Sequence, residues 1–346
     1  MQHNNPLVSI NIITYNSQKY IRDCFGSVLN QTYPNIEVLI IDNASTDDIR
    51  EYLKKFSSIS KLKIIFNDKN TGFTAGHNQG IRNSKGDFIL CLNHDVVIDK
   101  DFVKKAVKIL KDDNQVAAVQ GKLLRWNTGN PVSNNFKDYD VSRIIDTTGL
   151  VVFKNRRIVN RGQGHIDENQ FKKIEEIFGA DGAAPVYRRE ALEDIKINKE
   201  YFDEDFFCYK EDVDLAWQVR LLGYEIDFCE NAVATHKIGQ SLPGLPPSKF
   251  YNIVKNRIYV CLKNYSQNRI IKRIMKIIFL ISLDSIYYSY KMKSLAYFFA
   301  GFKAVTWNIA NIGKLKNERK KIQKIRKISD EEIEKVMIKK SIEFMK

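Results

Sequence analysis

An amide, an imidazole and a carboxylate stand in a row at Asn93-His94-Asp95, directly after the apolar run Phe88-Ile89-Leu90-Cys91-Leu92. Such a run reads as a buried strand. A carboxylate at its end needs water or a partner, because burying it unpaired is costly. The triplet is therefore either a solvated turn or one side of a site in which Asp95 holds a cation. Acids recur at Glu211-Asp212-Val213-Asp214, where a helix opens. Negative charge at a helix N-terminus accounts for one or two of them. Asp212, beside the aromatic stretch Phe206-Phe207-Cys208-Tyr209, has the setting of a general base. His236, in Ala234-Thr235-His236-Lys237, follows a further strand and is either structural or a metal ligand.

Two more polar clusters follow strands. Asp42 ends Ile36-Glu37-Val38-Leu39-Ile40-Ile41 and precedes Asn43-Ala44-Ser45-Thr46-Asp47. Ser45 and Thr46 suit a helix cap. Asp42 lies before the cap, where a carboxylate can accept the imide N–H of a pyrimidine base. Asn70-Thr71-Gly72-Phe73-Thr74-Ala75-Gly76-His77-Asn78 is a glycine-bearing loop running into a helix. It is either an ordinary turn or a place where backbone amides approach a phosphate or ribose.

The elements that must position these groups alternate. The patterning predicts strands at 8–13, 36–41, 62–66 and 88–92, and helices at 18–30, near 47–56 and near 75–84. This order argues for an α/β fold, a mostly parallel sheet covered by helices. Such sheets bind ligands at the carboxyl ends of their strands. Thr14-Tyr15-Asn16, Asp42-Asn43 and Asn93-His94-Asp95 would then line one rim. Residues 120–178 break into short strands and polar turns, followed by a helix near 212–222 and a strand at 225–228. Leu242-Pro243-Gly244-Leu245-Pro246-Pro247 is the best linker candidate. It divides the chain into a catalytic domain at 1–242 and a basic, mostly helical region at 243–346.

With 346 residues, 44% of them hydrophobic, the chain can bury a large core. Its five cysteines are scattered without a CxxC pair. That argues against a disulfide framework or zinc site and for a reducing, cytoplasmic setting. The first residues do not read as a signal peptide, and no apolar run reaches spanning length. Charge is unevenly placed. Residues 250–327 hold 18 Lys and Arg against Asp284 and Glu318, so 18 − 2 = +16 of the net +14, and the remainder carries −2. Apolar residues recur there at helical spacing, from Ile270 to Ile281, and the aromatics Tyr287, Tyr288, Tyr290, Phe298, Phe299 and Trp307 follow. One reading is a platform on an anionic membrane surface, the inner face of the cell membrane. The other is a helical bundle packed on the catalytic domain or on another subunit, which admits a homo-oligomer. A nucleic-acid partner is not expected; steeply salt-dependent affinity for arbitrary DNA would mark that alternative.

Taken in order, Thr14-Tyr15-Asn16, Asp42 to Asp47, Asn70 to Phe73 with Asn78, Asn93-His94-Asp95, Gly179-Ala180-Asp181-Gly182-Ala183, Glu211 to Leu215 and His236 resemble the inverting, metal-dependent glycosyltransferases of family 2 with the GT-A fold. The segment from Ile145 to Gly182 is similar to their rhamnosyltransferase branch. The resemblance covers roughly 6–240 and implies roles. Thr14, Tyr15, Asn16 and Asp42 would hold the nucleobase. Asn70, Gly72, Phe73, Asn78 and Asn93 would frame the rest of a nucleotide-sugar donor. Asp95 and His236 would hold a divalent cation, Mg2+ or Mn2+. Asp181, Gly182 and Glu211 would face the acceptor, a glycan or a polyprenyl-diphosphate-linked glycan, and Asp212 would be the base. Asn93 replaces the first Asp of many DXD motifs, leaving one carboxylate for the ion. The implied donor is dTDP-L-rhamnose, with a UDP-hexose as the alternative.

Overall fold

The computed structural model describes residues 5–126, 141–171, 175–237, 245–266 and 270–338. Strands and helices alternate first: β1 (Val8–Thr14), α1 (Gln18–Leu29), β2 (Ile36–Asp42), α2 (Ile49–Lys54), β3 (Leu62–Phe66), α3 (Gly72–Asn83) and β4 (Phe88–Asn93). Next come β5 (Val96–Ile98), α4 (Phe102–Asp112), β6 (Val116–Trp126), β7 (Val141–Thr147), β8 (Leu150–Val152), β9 (Ile158–Asn160) and β10 (Glu175–Glu176). Then follow β11 (Val186–Arg188), α5 (Arg189–Ile195), α6 (Glu211–Leu221) and β12 (Glu225–His236). Helices α7 (Pro247–Asn264), α8 (Ile270–Lys291), α9 (Ala296–Ala310), α10 (Ile312–Ile325) and α11 (Asp330–Lys335) end the described chain.

The main sheet runs β10-β12-β6-β11-β4-β1-β2-β3, with β5 added to β12 and β7 to β6. β3, β2, β1 and β4 are parallel, β11 is antiparallel to both neighbours, and β12 is parallel to β6. Every residue of β1 is buried, as both-face coverage of a parallel strand demands. α4 covers one face with Phe102, Val103, Ala106, Val107 and Leu110, a helical stripe. Gly121 in β6 lets that helix close in: a Cβ there would sit 2.4 Å from the Phe102 ring and from the Ala232 carbonyl.

Register brings the expected rim together. Thr14 lies beside Asp42, and Ile13 lies beside Asn93. The linker expected at Leu242–Pro247 falls partly outside the described residues. The helices beyond it share a core with the sheet domain: Ile258, Tyr259, Tyr265, Ile277 and Ala304 pack in one buried cluster with Leu192, Trp217 and Phe228. Lys263 of α7 is 1% exposed and pairs with Asp203 at 2.5 Å and with Asp214 of α6 at 2.8 Å.

Candidate active site

An open cleft of about 480 Å³ lies at the carboxyl ends of the parallel strands. Tyr15, Asn70, Gly72, Phe73, Asn93, Asp95, Asp181, Gly182, Glu211, Asp212 and His236 line it, so eleven of the expected residues meet there.

The other four, Thr14, Asn16, Asp42 and Asn78, do not line it and bond within the protein. Asp42 is fully buried. Its carboxylate accepts from Thr14 Oγ1 at 3.1 Å, Ser45 N at 3.2 Å, Arg50 Nε at 2.6 Å and the Ser45 hydroxyl, which saturates it within the protein. Thr14 serves that carboxylate. Asn16 accepts from Thr46 N at 2.8 Å and donates its own N–H to Ser45 Oγ at 2.9 Å, fastening two loops together. Asn78 is fully buried; its Oδ1 accepts from Tyr201 N at 3.0 Å and Phe202 N at 2.9 Å, and its Nδ2 donates to the Phe202 carbonyl at 2.7 Å. Short polar side chains at strand ends and helix starts serve the backbone as readily as a ligand, and here they do.

The glycine loop is held by a neighbouring amide. Asn43 Nδ2 donates to the Gly72 carbonyl at 2.9 Å, and Asn43 Oδ1 accepts from Thr71 Oγ1 at 3.1 Å. Gly72 has φ +86°, and a Cβ would meet the Phe207 ring at 2.6 Å. Conformation and space both demand glycine there. His94 turns its Nδ1 to the Ile13 carbonyl at 3.1 Å, tying the end of β4 to β1.

β12 delivers His236 against Asp95. Antiparallel pairing sets His236 beside Val96, and Lys237 N donates to the Asp95 carbonyl at 3.0 Å. The His236 Nε2 stands 3.4 Å from Asp95 Oδ1, and its Nδ1 stands 2.6 Å from Asp146 Oδ2. Asp146, on β7, is 2% exposed. Burial opposes a charge on His236, but the hydrogen bonds and charges of Asp146 and Asp95 outweigh it and hold the imidazolium well above its ordinary range. Burial likewise opposes the Asp95 charge, and the His236 hydrogen bond and charge bring the carboxyl below its ordinary value.

These residues fit a divalent cation. With Nδ1–H donated to Asp146, a cation beside Asp95 would take the place of the Nε2 proton, the carboxylate–histidine arrangement that orients metal ligands. Among the described residues no three Asp, Glu, His or Cys side chains form a closed ligand set. Asp95 and His236 supply two donors, and ligand oxygens and water would supply the rest.

On another part of the lining, α6 presents Glu211 and Asp212. The turn before it is strained: Phe207, Tyr209 and Lys210 have φ of 60°, 71° and 72°. Non-glycine residues persist there only when their surroundings fix them. Asn256 of α7 does so, its Nδ2 donating to the carbonyls of Phe206 at 3.2 Å, Cys208 at 3.0 Å and Tyr209 at 2.6 Å. Asp212 Oδ1 accepts from Val213 N at 2.8 Å, and Oδ2 from Gly182 N at 3.3 Å. Glu211 Oε2 is buried and accepts no hydrogen bond among the described residues.

Burial, reinforced by the Asp212 charge, pushes the Glu211 carboxyl up to about 8. Burial also raises Asp212, against the pull of Lys210 and of the amide donors. More amides favour the charged form of Asp212 than of Glu211, and the Asp212 charge pushes Glu211 higher, so Glu211 is the member of the pair that keeps a proton more readily. Asp181 is pushed up to about 6 by burial and then by the Asp212 and Asp146 charges. It accepts from Asn160 Nδ2 at 2.9 Å and Ala183 N at 3.0 Å.

Sequence reasoning passed over Asp146, Asn160 and Asn256. Asp146 lay in a segment read as a polar turn, and the other two carry no local signal.

The sequence profile of "Glycosyl transferase family 2" matches residues 9–196, more than half of the chain. The chain belongs to glycosyl transferase family 2. It is 24% identical over 243 residues to a poly-beta-1,6-N-acetyl-D-glucosamine synthase of Staphylococcus epidermidis, covering 69% of this chain and 52% of that one. The family 2 chain thus spans about half the length of that curated relative. Its fold is similar to that of GalNAc-T7 with UDP, GalNAc and Mn2+, at a TM-score of 0.61 and 13% identity, covering 90% of this chain and 58% of that one. It is also similar to a mannosyltransferase from Pyrobaculum calidifontis in complex with GDP-Man and Mn2+ (TM-score 0.53, 15% identity), covering 93% and 86%. The fold is GT-A, a mostly parallel sheet flanked by helices and followed by a helical region.

Proposed function

We propose that this family 2 chain is an inverting glycosyltransferase that moves a sugar from a nucleotide diphosphate donor to a hydroxyl of a cell-surface glycan or its lipid-linked precursor. The observation that carries this reading is the meeting, in one cleft, of the Asp95–His236 pair with the Glu211–Asp212 pair. Tyr15, Asn70, Gly72, Phe73 and Asn93 form the donor side. Asp181, Gly182 and Glu211 face the acceptor.

Asp212 takes the proton from the acceptor hydroxyl as its oxygen attacks the anomeric carbon. The bond from that carbon to the diphosphate breaks on the opposite face, and the nucleoside diphosphate leaves. One displacement inverts the configuration. Glu211 holds its proton and leaves Asp212 as the charged partner. Mg2+ or Mn2+ held by Asp95 and His236 would supply charge stabilisation for the leaving diphosphate. Asp146 keeps the imidazole turned toward that position.

The proposed donor is dTDP-L-rhamnose, on the likeness of the 145–182 segment to the rhamnosyltransferase branch, with a UDP-hexose second. The proposed setting is the cytoplasmic face of the cell membrane, where the basic helices would meet anionic lipid. Calorimetric titration with dTDP-, UDP- and GDP-sugars, with and without Mg2+ or Mn2+, tests the reading. We expect metal-enhanced affinity for one donor, with release of its nucleoside diphosphate on adding acceptor. Absence of binding across the panel would overturn it.

A further inference from the structure

Of the seventeen large apolar side chains exposed among the described residues, thirteen lie between Met275 and Ile312. Their placement is periodic. On α8, Ile277, Ile281 and Ser285 face inward, while Met275, Phe279, Leu283 and Ile286 stand exposed at intervals of three or four. α9 repeats the pattern: Tyr297, Ala300, Gly301 and Ala304 are buried, and Phe298, Phe299, Phe302 and Ile309 are exposed. A surface helix ordinarily turns a polar face outward. This hairpin is apolar on its outer side as well, and an exposed apolar face of this extent marks an interaction surface.

Charge selects the occupant. Residues 270–310 contain six Lys and Arg and one acid, 6 − 1 = +5, and the acid, Asp284, is 3.7 Å from Arg257. Lys276, Lys291, Lys293 and Lys303 are exposed among the apolar side chains. A second copy would bring the same positive field against itself, whereas anionic headgroups complement it. No helix among the described residues is long and apolar enough to cross a membrane. We propose that the α8–α9 hairpin is a hydrophobic wedge. Its aromatic and aliphatic side chains seat below the headgroups of an anionic bilayer, with the lysines at headgroup level. This deepens the membrane setting proposed above, because apolar insertion, rather than charge alone, holds the protein there. α7 couples the wedge to the cleft. Its Lys249 and Ile253 line the cleft, and its Phe250 ring packs at 5.4 Å from Tyr288 of α8 and 5.7 Å from Tyr297 of α9.

Flotation of the full chain with phosphatidylcholine/phosphatidylglycerol vesicles tests this. Surface electrostatics are largely screened at about 1 M salt, whereas apolar insertion is not. Wild-type binding at that salt should stay within about threefold of its low-salt value. The triple variant F279Q/F299Q/F302Q should lose at least about tenfold in partitioning, with its thermal midpoint and its donor affinity in solution unchanged. Donor affinity reports the transferase reading separately, so either idea can fail alone. Three results would overturn the wedge. Wild type could fail to float. Binding could vanish at high salt while the triple variant binds like wild type. Or the face could be buried in a dimer that the triple variant splits, with no vesicle binding by either protein.

Discussion

Replacing Asp212 by Asn keeps the size of the side chain and removes its capacity to take a proton. Asp212 touches its own chain through two amides, Val213 N at 2.8 Å and Gly182 N at 3.3 Å. An Asn retains one acceptor and turns an amino group toward the other amide, a mismatch worth about 1 kcal/mol. The fold and the donor side of the cleft should therefore survive. A positioned general base contributes about 10²- to 10⁴-fold in rate. The variant should lose that much in kcat, roughly 3–5 kcal/mol of barrier, with donor affinity held within about twofold. Steady-state release of nucleoside diphosphate gives kcat, and calorimetry gives donor affinity. Because Asp212 is raised above 3.8, wild-type activity should fall with decreasing pH at a point above that ordinary carboxylate value. The substitution has a second signature. Its lost charge removes the repulsion that helps push Glu211 up to about 8, so the Glu211 carboxyl should titrate lower in the variant. A kcat within about threefold of wild type would refute the assignment of the base.

Asp146→Ala should weaken Mn2+ binding by about 10- to 100-fold, read by electron paramagnetic resonance, because the His236 ring loses its orienting carboxylate; unchanged metal affinity would remove Asp146 from that role. Lys263→Met strands the Asp203 and Asp214 carboxylates in the core and should cost about 3–5 kcal/mol in urea unfolding. A loss below about 1 kcal/mol would mean that the pair matters little to folding. Glu211 binds its proton more tightly folded than unfolded, so its stabilising contribution is full below 4.5 and is lost as pH rises through about 8. Glu211→Gln should flatten that part of the stability–pH curve, and an identical slope in both proteins would show that Glu211 is not the group titrating.

The alternation of strands and helices through β4 was legible along the chain, because a strand covered on both faces must be continuously apolar and its neighbours must carry helical stripes. The polar strand ends were legible for the same reason: a core strand that stops at Asn93-His94-Asp95 advertises a rim. So were the acids of α6 and the concentration of positive charge after residue 250. Pattern reports the environment of a residue's own element. It does not report the partner. Asp42 and Asn78 have the composition of ligand-binding residues, and the partners the fold gives them, Arg50, Ser45 and the 201–202 backbone, could not be read from their own segments. Asp146 meets His236 across ninety positions, through strands that pair in neither chain order nor one direction. Asn256 and Lys263 sit in a helix whose sequence reads as a basic appendage. Packing makes them the clamp on the strained turn before Asp212 and the counter-ion beneath α6. Sequence thus determined which groups were available and which ends of the strands could expose them. Only tertiary packing decided which of those groups were already satisfied by the protein itself, since a hydrogen bond or ion pair between distant segments depends on topology and leaves no local periodicity to read.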